Sequence, residues 1–176
     1  MADVQTGQVW FGRGIYALIA VSIIFAQLLP LDATPGRWAP PDMLLAVTLV
    51  WVARRPDLAP WFLVAVIFFL TDLLFQRPPG LWAALVLILT EMIRKRSGDI
   101  RSMSLAMEWG TVAMGLVAIT LANRFAMALT MTPQAPLGLV LIQMVLTILV
   151  YPVVAVVAHL AFGVRRRQPA GLGERA

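Results

Sequence analysis

Between Pro40 and Arg96 the chain carries one aspartate in each of two apolar segments and closes both stretches with arginine: PPDMLLAVTLVWVARRPDLAPWFLVAVIFFLTDLLFQRPPGLWAALVLILTEMIRKR. An ionisable group inside hydrocarbon costs about 2.5–3.5 kcal/mol even on lenient insertion scales. Asp72, set in FFLTDLLF, therefore requires a structural partner or a function. The surroundings are hydrocarbon because 60% of the 176 residues are hydrophobic and the mean hydropathy is +0.84. Soluble domains carry roughly 45–50% apolar residues. The composition is that of a membrane protein.

Nothing outside the apolar segments is long enough to fold alone, so a single compact bundle is expected. The chain has no cysteine, which removes disulfides, thiolate metal sites and cysteine nucleophiles together. The formal charge is +5, but the basic residues stand in short runs at the ends of apolar segments. Membrane topology explains such runs, and nucleic acid is not an expected partner. No serine has a positioned base, no nucleophile elbow or phosphate-cradling loop occurs, and the acidic residues are not clustered for metal hydrolysis. A non-enzyme without cofactor or metal is expected.

Six apolar segments are punctuated by proline or glycine: 14–31, 41–53, 60–76, 80–93, 105–130 and 136–164. The reading is an all-α polytopic integral membrane protein with six transmembrane helices in one bundle over residues 1–164, followed by a basic tail, 165–176. The second and fourth segments reach only roughly 20 Å at 1.5 Å per residue, against a hydrocarbon core of roughly 30 Å. Charge decides that they span. With six spans and the N-terminus inside, eleven of the 14 lysines and arginines fall on the cytoplasmic side. If the second segment only dipped into the bilayer, the RKR and RRR clusters would face outward. Burial among longer neighbours is the expected answer to the short length, with bilayer thinning or snorkelling of Arg54 and Arg94 the alternatives. The tryptophans fit interfaces: Trp10, Trp51, Trp61 and Trp109 inside, Trp38 and Trp82 outside.

Four residues are candidates for partner binding or buried polar contacts: Asp42, Asp72, Arg77 and Arg124. Asp72 lies about a turn from the outer end of its helix. It either pairs with Arg77 or caps a neighbouring helix, or it anchors a partner helix or ligand. Asp42 follows two prolines at the start of the second helix and reads first as a cap. Both aspartates lie near the outer side and can border one cavity. Arg124 either snorkels or pairs with Asp72 or Asp42. Glu91 and Glu108 read as counter-charges of the RKR loop. His159 reads as a helix-to-helix hydrogen bonder, and Gln143, Thr147 and Tyr151 form a polar stripe at i, i+4, i+8. Ala106, Gly110, Ala118, Ala122 and Ala126 in the fifth helix, with Ser22 and Ala26 in the first, are small residues that let helices approach closely. Internal packing is the first reading of them, and partner docking the second.

Four pieces in order, Pro41-Asp42-Met43-Leu44-Leu45, Arg54-Arg55-Pro56, Asp72-Leu73-Leu74 and Pro78-Pro79-Gly80-Leu81, resemble the MreD family, the polytopic membrane subunit of the bacterial rod-shape machinery. The match covers about residues 40–96. Phe68 and Phe69 stand where that family tends to place glycines, and Pro79 replaces an apolar residue in the turn. The resemblance implies a non-catalytic scaffold in the bacterial inner membrane with both termini cytoplasmic. It also implies a bitopic MreC-like partner, association with MreB, RodA and a class B transpeptidase, and a role in lateral peptidoglycan synthesis. It further implies an architecture like the substrate-binding component of energy-coupling-factor importers. Such an importer component is the alternative function.

Overall fold

The computed structural model describes residues 2–29, 39–97 and 104–162. The expected tail from residue 165 lies outside them, as do Arg37, Trp38 and Arg101. Six helices and no strand are present among the described residues: α1 Ala2–Leu28, α2 Met43–Arg54, α3 Trp61–Leu74, α4 Leu81–Lys95, α5 Leu105–Leu129 and α6 Leu137–Phe162. Each apolar segment read from the sequence holds one of them. The first helix begins at Ala2 rather than near Gly14, because its polar opening, ADVQTGQ, contains no helix breaker other than Gly7. Apolarity alone marked only the later part.

Among the described residues three helices are long and apolar enough to cross a membrane: Gly7–Leu28 within α1, Leu105–Leu129 and Leu137–Leu160 within α6. The chain is an all-helical membrane protein. At 1.5 Å per residue, α2 reaches only about 18 Å. Its position explains how so short a helix is stable, since every residue from Leu44 to Arg54 is buried. It packs against α1, α4 and α6, while α3 packs on α4, α4 on α5, and α5 on α6. A helix that touches only protein need not match the hydrocarbon thickness. The fourth helix differs, for it buries one face only, through Ala83, Val86, Leu89, Thr90 and Ile93.

Trp51 corrects the interfacial reading. It is 2% exposed and packs with its ring 6.3 Å from that of Tyr16. Trp109 remains at the surface and completes a broken helix ladder. Pro152, inside α6, has no N–H to give the carbonyl four residues earlier. That carbonyl, on Ile148, accepts a hydrogen bond of 2.8 Å from Trp109 Nε1. Gly115 of α5 rests against the Leu89 side chain of α4, where a Cβ would collide with it.

Candidate functional site

The candidate residues gather at the end of the bundle where α2 begins. Asp42 is the α2 cap: its Oδ1 accepts from the Leu45 N–H at 2.9 Å. Its own N–H donates to Thr147 Oγ1 at 2.9 Å, tying the start of α2 to the middle of α6. Thr147 donates in turn to the Gln143 carbonyl. The polar stripe of α6 thus faces α2.

Asp72 is fully buried near the end of α3 and caps a helix that is not its own. The chain turns into α4 through Gly80, whose φ of +84° is left-handed and which has no side chain to cap with. Asp72 Oδ2 replaces that missing cap, accepting from the Gly80 and Ala83 N–H groups, both at 3.1 Å. The Asp72 carbonyl also accepts from the Arg77 N–H at 2.9 Å. One residue therefore ends α3, shapes the turn and starts α4. The Asp-Leu-Leu and Pro-Pro-Gly-Leu pieces of the sequence are two parts of one capping unit.

Of the two structural readings of Asp72, the cap is the one observed, and no Asp72–Arg77 ion pair forms. Arg77 is exposed, with its guanidinium over the Phe75 and Trp82 rings at 5.6 and 6.0 Å. Arg124 pairs with neither aspartate; its Nη1 donates to the Ala135 carbonyl at 3.2 Å. Among the described residues no carboxylate lies within ion-pair distance of either guanidinium. Asp42, Arg77 and Arg124 do line one cavity of about 260 Å³, with Trp82, Thr120, Asn123, Gln134, Gln143 and Thr147 as its other polar or amphipathic walls. Leu45, Leu81, Leu116, Met127, Val140 and Met144 supply the apolar walls. Asp72 is not a wall of this cavity.

The opposite end of the bundle holds a site that sequence reasoning missed. Arg54 does not snorkel. It is 7% exposed, and its Nε donates to Glu108 Oε1 at 3.1 Å while Nη1 donates to the Ala155 carbonyl at 3.0 Å. Tyr151 donates to the same Glu108 oxygen at 2.8 Å. Glu108 is 1% exposed and is a counter-charge of Arg54. Opposite charges at matching ends of two apolar segments were the available signal. Glu91 does pair with the first arginine of the RKR run, Arg94, at 2.8 Å within the last turns of α4. Arg94 also donates to the Pro56 and Ala59 carbonyls, clamping α4 to the α2–α3 turn instead of snorkelling. His159 is exposed and makes no helix-to-helix hydrogen bond among the described residues.

The small residues of α5 also correct their first reading. Ala106, Gly110, Ala118 and Ala122 face away from the bundle, and only Ala126 is half-buried. A Cβ on Gly110 would meet nothing within 4 Å. Ser22 and Ala26 on α1 are likewise exposed. In comparisons with known proteins, no family model, no curated protein and no solved structure matches the chain.

Proposed function

We propose that this chain is a non-catalytic scaffold of the bacterial inner membrane, resembling MreD, which docks the membrane helix of a bitopic MreC-like partner. In this reading all six helices span, both termini are cytoplasmic, and the complex supports lateral peptidoglycan synthesis beside MreB, RodA and a class B transpeptidase. The observation that carries it is the outward ridge of α5. Small residues spaced four apart let helix backbones approach closely, and here the pairs Ala106–Gly110 and Ala118–Ala122 are exposed on α5, on either side of the exposed Met114. A second helix laid along that ridge would gain the dispersion contacts that the fold leaves unused. The complete burial of α2 supports six spans, because its shortness is hidden from lipid.

Depletion in a rod-shaped host tests the reading. Cells should widen or round before growth stops, and vitamins should not rescue them. Retained rod shape after complete depletion, with no redundant copy, overturns it. The importer alternative draws on the cavity beside Asp42 and requires the reverse outcome: normal shape, and growth restored by one nutrient.

A further inference from the structure

The cavity at the start of α2 has a surplus of hydrogen-bond donors. Two guanidinium groups, Arg77 and Arg124, face one carboxylate, Asp42, and that carboxylate already accepts from the Leu45 N–H. An arginine carries five donors; Arg124 uses one on the Ala135 carbonyl, and the Arg77 side chain has no hydrogen-bond acceptor among the described residues. A third donor is unmet as well, since the buried indole N–H of Trp82, a wall residue, has no acceptor. Arginine donors at the edge of hydrocarbon gain charge-assisted hydrogen bonds from an anion placed between them.

We infer that this cavity binds the head group of an anionic phospholipid. A phosphate offers several acceptor oxygens to the donors that Arg77, Arg124 and the Trp82 indole leave unused. Arginine suits it because its planar fork donates two parallel bonds to phosphate. The remaining walls suit the rest of the molecule: Leu116, Val140 and Met144 are apolar. At about 260 Å³ the cavity falls just under the about 300–1,000 Å³ of sites that enclose a drug-sized ligand. It takes a head group and the first part of a chain. The remaining chain lies along the apolar sides of α5 and α6, where Leu121 and Leu141 are exposed. The inference rests on the cavity alone and stands whether or not the scaffold reading does.

Native mass spectrometry of the intact, delipidated protein tests it, with phosphatidylglycerol and phosphatidylcholine of identical acyl chains as probes. The unaltered chain should retain one phosphatidylglycerol about tenfold more strongly than phosphatidylcholine. Arg124→Gln and Arg77→Gln should each reduce that preference by about tenfold, with helicity by circular dichroism unchanged. Equal retention of the two lipids by the unaltered chain overturns the inference, whatever the variants do. Displacement of the lipid by inorganic phosphate at equal concentration also overturns it, because the apolar walls would then add nothing. So does retention of neither lipid, which would leave the two arginines to an acidic side chain of a protein helix.

Discussion

The two ends of α2 handle charge in opposite ways. At its last residue, Arg54 is enclosed with Glu108, Tyr151 and the Ala155 carbonyl, so that charge and hydrogen bonds are matched in a closed cluster. At its first turn, Asp42 faces a cavity shared with two arginines that have no carboxylate within ion-pair distance. The closed cluster joins α2, α5 and α6 and leaves little for a ligand to add. The open one joins the same three helices and the α3–α4 turn around unmatched donors. One end of α2 therefore holds a closed ion pair and the other borders a cavity.

Removing Glu108 should break the comparison most strongly. Glu108→Ala leaves Arg54 buried without its counter-charge, and loss of one partner of a buried pair costs about 3–5 kcal/mol. Thermal unfolding in detergent should register it; a loss under about 1 kcal/mol would mean that water reaches Arg54 and that the cluster is not closed. Tyr151→Phe removes the hydrogen bond to the charged Glu108, so a loss of about 1.5–3 kcal/mol is expected in the same assay. Asp72→Ala deletes the cap of α4 and should cost about 0.5–2 kcal/mol, whereas Asp72→Asn keeps an acceptor oxygen and should cost less. Equal losses from the two substitutions would show that the charge of Asp72, and not its two accepted N–H bonds, is what matters. Arg124→Gln should be the mildest, within about 0.5 kcal/mol, because no ion pair is lost. A large fall there would make the open end as structural as the closed one.

Local features of this arrangement are legible in the sequence, and long-range ones are not. Each apolar segment contains a helix, and Asp42 acts as the cap that Pro-Pro-Asp suggests, because capping depends on three or four adjacent residues. Asp72 was readable as a helix cap or an ion-pair partner. The choice between them turned on the left-handed Gly80, eight residues away. Arg54 and Glu108 stand 54 residues apart and Arg54 and Ala155 stand 101 apart, so their meeting follows from which helices become neighbours. The α5 ridge was misread for a related reason. That helix is apolar nearly all round, and with lipid on one side and protein on the other its sequence does not mark which face turns inward. Only the packing of Val112, Leu116 and Ile119 into the core fixes the small residues on the far side.

Cysteine cross-linking along α5 tests the central claim most directly, since the natural chain has no cysteine to interfere. Single cysteines at Ala106, Gly110, Ala118 and Ala122 should each form a disulfide with a cysteine scanned along the membrane helix of the bitopic partner in native membranes. Val157, exposed on α6 but outside the ridge, should not. Cross-links that follow the four-residue ridge would establish α5 as the docking face. Absence of cross-links along the ridge, or equal cross-linking at Val157, would contradict the scaffold account.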